Sequence, residues 1–365
     1  MNRRDTLRCA AMLSTLSLLA GCATVDDKVT SEASGAAPLT VTVMTFNVQN
    51  LFDNVDDPGK DDKAYLPIEA KRNQDHVDAC NEIEVASWRD ECLNLDWSDV
   101  AIEHKLTVLA DTIRQVDGGR GADIIALQEV ENVRILERLR TGYLADLEFE
   151  PAILVDGSDL RGIDVAFLSK FPLARPPILH PLQLPDFPDR AADTRGVLQA
   201  DFLLPDGSIL TGFSVHFPAP HLPTGMRITA YAHLNELLEA LPDNHHAFAA
   251  GDFNTTSAED EEKHLLDSYA RPHWTLAHDI GCATCKGSYY YARDGRWSFL
   301  DMIFFAEARG GNTTARIRAD SVRIANLTPA QVSEYGTPER FRSAQGTGVS
   351  DHWPMIASIE LAQKQ

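Results

Sequence analysis

Residues 247–254, Ala247-Phe248-Ala249-Ala250-Gly251-Asp252-Phe253-Asn254, join a short apolar run to a polar end. A run of this length reads as a buried strand, and a polar group at its end is presented at the rim of a sheet, where sites are built. The same placement recurs along the chain. Asn47 closes the run that starts at Val41, and Gln128-Glu129 close residues 123–127. Asp164 opens an apolar run to Ser169, His216 ends Phe213-Ser214-Val215-His216, Asp301 lies in the run 298–305, and Ser350-Asp351-His352 precede a last run over 353–359. A single strand-end aspartate is ordinarily a turn residue. The set is chemically coherent, because carboxylates and amides are hard oxygen ligands for magnesium or calcium, and two histidines can move protons or stabilise phosphate charge.

Ile102, Leu106, Leu109, Ile113 and Val116 recur at helical spacing before Gly118-Gly119, which predicts a core-facing helix. Helices are also expected over 132–144 and 224–241, and strands near Ile153 and over 196–204 and 209–216, with Pro205-Asp206-Gly207-Ser208 turning the last two into a hairpin. Many strands, some antiparallel, with a few helices between them predict a mixed α/β sandwich of two packed sheets with helices outside. The acidic stretch between Asp53 and Trp97, which holds Asp56, Asp57, Asp61 and Asp62, reads as a solvated surface insertion. Ser288-Tyr289-Tyr290-Tyr291 reads first as packing aromatics and second as a surface on which substrate stacks. No internal repeat appears, and no linker after Thr40 divides a domain.

Taken in order, Thr45-Phe46-Asn47, Leu127-Gln128-Glu129, Gly251-Asp252-Phe253-Asn254, Leu300-Asp301-Met302-Ile303 and Ser350-Asp351-His352-Trp353-Pro354 resemble the motifs of the endonuclease/exonuclease/phosphatase superfamily, over residues 41–360. The resemblance implies a four-layer α/β/β/α sandwich of two mixed sheets flanked by helices, and metal-dependent cleavage of a phosphate ester. On this resemblance Glu129, supported by Asn47 and Asp351, would hold magnesium, with manganese or calcium as alternatives. Asp252 and Asn254 would orient the attacking water and the phosphate. His352 paired with Asp301, and His216 paired with Asp164, would share proton transfer and phosphate stabilisation. His216 resembles the extra histidine of pancreatic-type deoxyribonucleases and neutral sphingomyelinases. Asp164 falls where those deoxyribonucleases carry a glutamate, and Arg195 near where they present an arginine to phosphate.

The chain has 365 residues, 44% hydrophobic, with 33 Lys+Arg against 54 Asp+Glu and a formal net charge of -21. That balance excludes broad electrostatic gripping of nucleic acid, yet not a phosphate-ester substrate met by a bound metal. At the start, Arg3, Arg4 and Arg8 precede an apolar run from Cys9 to Ala20 that is too short to span a bilayer. Leu19-Ala20-Gly21-Cys22 resembles the lipobox of bacterial lipoproteins. The expected organisation is therefore a signal peptide over 1–21, lipidation at Cys22, a flexible tether over 22–38 and a catalytic domain over 39–365, exported and lipid-anchored in the cell envelope. In an oxidising compartment Cys80, Cys92, Cys282 and Cys285 are expected to form two disulfides, the sequence-local solution joining Cys80 to Cys92 and Cys282 to Cys285. A zinc site would need a second Cys-x-x-Cys.

The function expected first is a phosphodiesterase acting as a nuclease on extracellular or periplasmic nucleic acid. A phospholipid or sphingomyelin-type phosphodiesterase, or a phosphomonoesterase of the same fold, is the alternative, and a catalytically inactive lipid-anchored scaffold is a third. Expected partners are the phosphate-ester substrate and, through the anchor, the membrane; no protein partner is readable, and a monomer is expected.

Overall fold

The first strand, Leu39–Leu51, is buried on both faces because its two sets of side chains enter different layers. Val41 and Val43 join a core with Ala200, Phe202, Phe248 and Ile303, whereas Met44, Phe46 and Val48 join one with Ile102, Leu106 and Leu109. A strand covered on both sides needs no apolar/polar alternation, which accounts for the continuous run in the sequence. The computed structural model describes residues 38–190 and 194–363. The expected signal peptide, Cys22 and almost all of the tether lie outside the described residues.

One sheet orders its strands Thr313–Ile317, Met355–Gln363, Leu39–Leu51, Ile124–Val130, Asp164–Ser169 and Ile153–Leu154, with Arg323–Ile324 also pairing against Met355–Gln363. The other orders Ile178–His180, Val197–Leu203, Ile209–His216, His246–Asp252, Asp301–Ala306 and Thr275–Leu276. Each sheet has one parallel pair, Leu39–Leu51 with Ile124–Val130 and Ile209–His216 with His246–Asp252, among antiparallel neighbours. The helix Asp99–Arg114 covers the outer face of the first sheet, and Thr224–Glu239 covers that of the second, laying Met226, Ala230, Tyr231 and Leu234 against Phe213, Val215, Ala249 and Phe304. The result is the α/β/β/α sandwich that the motifs imply.

Parallel pairing decides where the polar groups meet. It sets Asn47 beside Gln128 and His216 beside Asp252, and the antiparallel neighbour starts with Asp301 opposite Asp252. All of these ends reach one rim, where the Asn47 amide crosses between the sheets to Asp252.

Local differences from the sequence reading have physical causes. The helix expected over 132–144 is α-helical only over Val133–Arg138 and widens to a π turn over Leu139–Tyr143, with Gly142, a poor helix former, inside it. The last strand starts at Met355, since Pro354 has no amide hydrogen to give a ladder. The acidic insertion is not simply solvated. It holds two short helices, Gln74–Asn81 and Ala86–Asn94, joined by the Cys80–Cys92 disulfide, and it buries Trp97, whose Nε1–H donates to Phe52 O at 3.0 Å. Closing a loop of this length stabilises by about 3 kcal/mol in the chain-entropy account. Cys282 is joined to Cys285, so both pairings are the sequence-local ones, and no thiol of the four is left to hold zinc.

Candidate active site

Glu129 owes its position to a bulge. Gln128 pairs with Val165 and Val130 with the adjacent Asp164, so Glu129 is the extra residue against that strand and takes a left-handed φ of 64°, while on its other side Val48, Gln49 and Asn50 bulge out between the Asn47–Gln128 and Leu51–Val130 pairs. Such a conformation is strained for a non-glycine residue, by about 1–3 kcal/mol, and it turns the side chain out of the ladder toward the rim. The carboxylate is held there by two donors, Asn47 Nδ2 at 3.3 Å on Oε1 and the Asn50 amide at 2.9 Å on Oε2. The Asn50 amide is aimed by two more left-handed residues, Gln49 and Asn50, at φ 51° and 57°.

Asn47 is fixed at both ends of its side-chain amide. Its Oδ1 accepts from the Gln49 amide at 3.0 Å, and its Nδ2 donates to both Glu129 and Asp252, the latter at 3.0 Å. The nitrogen therefore meets the carboxylates, and Asn47 positions both of them. Asp351 reaches the same hub through its own amide, which donates to Gln49 Oε1 at 3.1 Å.

Asp252 sits between the two histidines. Its Oδ1 accepts the Asn254 amide at 2.9 Å, and its Oδ2 lies 3.5 Å from His216 Nε2. Asn254, at φ 51°, donates Nδ2 to Phe217 O at 3.0 Å. Gly251 lets this strand approach its neighbour: a Cβ there would collide with the Val215 carbonyl. Gly251→Ala is expected to cost about 1–3 kcal/mol and to displace Asp252, read as a lower urea midpoint together with lost activity. A wild-type midpoint would show that the backbone shifts freely at this point.

On the far side, His352 Nδ1 meets Asp301 Oδ2 at 2.7 Å, with both side chains buried. Burial depresses His352, but the Asp301 carboxylate, with Asp252 and Asp351 beyond it, outweighs that and lifts it to about 10. Burial, with Asp301 adding to it and His352 opposing, pushes Asp252 up to about 7. For His216, burial and the charges of Arg195, Arg161 and His352 all act downward, so it lies well below the usual histidine range. At neutral pH the site thus pairs a cationic imidazole able to give a proton with a neutral one able to take it.

Asp164 is not the partner of His216. Its Oδ1 accepts the Gly157 amide at 2.9 Å, and among the described residues no hydrogen bond or ion pair joins it to the histidine. Aspartate is a methylene shorter than the glutamate of the resembling enzymes, and here it fastens the loop at 157. Arg195 is buried, with Nη1 on Asp159 Oδ2 at 3.0 Å and Nη2 on Phe217 O at 3.2 Å, beside the histidine whose charge it opposes.

Arg161 and Lys105 escaped the sequence, and Tyr289 was legible there only as one of a tract of packing or stacking aromatics. Arg161 donates to Asn50 Oδ1 at 3.0 Å and lies within the field of Glu129. Tyr289 places its ring 4.8 Å from that of His352. Lys105, fully buried, donates to Val349 O at 2.8 Å beneath the segment that carries Asp351. The spacing of Lys105 with Ile102, Leu106 and Leu109 puts it on the buried face of its helix, which is the one signal that could have found it.

The donors fit a hard divalent cation. Asp252 and Asp301 place carboxylate oxygens within 4.8 Å of one another, Asp301 Oδ1 is buried without a hydrogen-bond partner, and Glu129 stands across the Asn47 amide from them. A metal held by Glu129 and its neighbours supplies charge against a nonbridging phosphate oxygen. Fold and site together define a metal-dependent phosphoesterase. Residues 92–352 match the Endonuclease/Exonuclease/phosphatase family, and the chain belongs to that family. Solved structures show the same fold at low identity. An endonuclease/exonuclease/phosphatase family protein from Bacteroides thetaiotaomicron is 15% identical, with a TM-score of 0.52 over 88% of this chain and 98% of that one. A humanized D. rerio TDP2 is 12% identical, with a TM-score of 0.52 over 88% and 98% of the two chains. The mannosyl-6-phosphatase Bt3783 of Bacteroides thetaiotaomicron is 15% identical, with a TM-score of 0.50 over 87% and 99%. No curated protein matches the sequence.

Proposed function

We propose that this chain is a divalent-metal-dependent phosphodiesterase that acts as a nuclease on extracellular or periplasmic nucleic acid, from a cell envelope to which Cys22 anchors it. The observation that supports hydrolysis most directly is Asp252, set 3.5 Å from a neutral histidine and within the field of a histidine–aspartate pair. Glu129 and the metal it would hold, magnesium before manganese or calcium, take the phosphate charge, and Asp252 with Asn254 orients water. His216 accepts a proton and His352 protonates the leaving oxygen.

Nucleic acid is favoured over a lipid headgroup by the aromatics that adjoin His352. Tyr289 lies 4.8 Å from the His352 ring, and Tyr291, two residues on and so on the same face of the strand Tyr289–Tyr291, is 46% exposed. Bases stack on such rings at about 1–3 kcal/mol each, whatever their sequence. Stacking would offset the missing basic surface.

The test is turnover of single-stranded DNA, plasmid, RNA, sphingomyelin vesicles and simple phosphomonoesters with added magnesium. Nucleic acids are expected to be cut, with loss in excess chelator and recovery on adding magnesium back. Cleavage of lipid or monoester alone would replace the nuclease reading, and activity that survives excess chelator would end the metal reading. The anchor is tested separately by labelled fatty acid, which should enter the wild type and not Cys22→Ala.

A further inference from the structure

A second group of acids lies apart from the catalytic residues. Asp57, Asp62 and Glu131 each place a carboxylate oxygen within 4.8 Å of the others. Asp62 and Glu131 are only 2% and 4% exposed, and Asp62 Oδ1 and Glu131 Oε1 are buried with no hydrogen-bond partner. Their other oxygens are occupied, Asp62 Oδ2 by the Asp57 amide at 2.8 Å and Glu131 Oε2 by the Asp53 amide at 2.6 Å. Asp56 approaches Asp62 closely enough for a carboxyl–carboxyl hydrogen bond, and its charge opposes ionisation there. Arg134 binds this cluster from its rim, on Asp53 Oδ2 at 3.1 Å and on Asp57 Oδ1 at 3.0 Å, and Lys60 directs its ammonium elsewhere, to the carbonyls of Gly157 and Asp159. Two buried carboxylate oxygens without a donor, in one cluster, are costly unless a proton or a cation joins them, and burial indeed pushes Asp62 up to about 6 and Glu131 up to about 8 when no cation is bound.

We propose that Asp57, Asp62 and Glu131 hold a structural calcium ion, separate from the catalytic metal. The donors are carboxylate oxygens, as a hard cation requires. Calcium accepts irregular sets of oxygens at about 2.3–2.6 Å where magnesium demands near-ideal octahedral geometry, so a loop cluster whose carboxylates are fixed by the Asp57 and Asp53 amides suits the larger ion. The chain also makes the sharp turn such a loop needs, with Gly59 at φ 82° and the Lys60 amide donating to Asp57 O at 3.1 Å.

The ion would brace two parts of the active site. Glu131 is two residues beyond Glu129 on the same chain segment. The Asp61 amide donates to Leu160 O at 2.7 Å, and Lys60 Nζ to Asp159 O at 2.7 Å, so the acidic loop supports the segment that carries Arg161 and the Asp159 partner of Arg195.

The test is calcium binding and thermal unfolding of the full chain carrying Glu129→Gln, which weakens the catalytic site, after stripping with chelator. No substrate is involved, so the outcome is independent of the nuclease reading. A saturable calcium site is expected, with a dissociation constant between about 10⁻⁷ and 10⁻³ M and a melting temperature that climbs with calcium. Adding Asp62→Asn should weaken that site at least about tenfold and abolish the climb. Should that variant not fold, Asp57→Asn, on the half-exposed rim, serves in its place with the same expected loss. No calcium response up to about 10 mM would overturn the proposal. So would an unchanged response in the folded variants, or stabilisation by acid with none by calcium, which would mark the cluster as a shared-proton site.

Discussion

Glu129→Gln is expected to lower kcat by about a thousandfold or more at saturating magnesium, while the melting temperature holds or rises. The rate follows from charge. Glu129 is the carboxylate placed to hold the metal, and metal stabilisation of a phosphate transition state is worth several kcal/mol, each 1.36 kcal/mol being a factor of about ten. Glutamine keeps the shape and can still accept from Asn47, so the loss falls on the ion and not on the fold. It cannot accept from the Asn50 amide with an NH₂ group, a local cost of about 1 kcal/mol. Against that stands relief of repulsion, because Glu129 shares its hub with Asp252 through one amide. A site that gains stability when a ligand is neutralised is the mark of function held against stability. The measurement is a magnesium titration of initial rates beside a melting curve. Rates within about threefold of wild type at saturating magnesium would remove Glu129 from the metal site.

What the sequence disclosed, and what it hid, divides along a physical line. Asp252, His216 and Asp301 were legible because each terminates or opens a buried strand, and Asn47 because the regular pairing of its strand breaks there although the strand runs on to Leu51; parallel pairing then has little choice but to bring these positions to one rim. The aim of Glu129 was not legible, since it depends on a bulge and a left-handed φ that no composition signals. The Asn47 amide faces its carboxylates nitrogen first only because the Gln49 amide claims its oxygen, a contact set by backbone geometry. Asp164 was misassigned because its strand was read correctly but its reach was not: the Gly157 amide, seven residues earlier on the preceding loop, takes the carboxylate before His216 can. Arg161 stayed hidden because its place depends on a loop fastened by Lys60 and Asp61 from a stretch that read as solvent-exposed.

His352→Ala and Asp301→Asn are expected to fail together as one unit. His352→Ala should lower kcat by about a hundred- to ten-thousandfold, the usual worth of a positioned acid or base. Asp301→Asn leaves a side chain able to bond Nδ1, but it takes away the negative charge that, against burial, keeps His352 protonated. A neutral His352 cannot donate the proton, so the loss should approach that of removing the ring. If so, the double variant should be little worse than His352→Ala, because Asp301 acts on the chemistry through the imidazole it faces. Stability should move the other way in part: Asp301 is fully buried with Oδ1 unpartnered, and asparagine removes a charge there, so Asp301→Asn should not unfold the domain. The readout is a double-mutant cycle on kcat, with each variant's melting curve as the control. If the double variant instead lost the product of the two single losses, the residues would act separately. Asp301 would then be assigned directly to the metal, for which its free oxygen and the neighbouring Asp252 carboxylate already equip it.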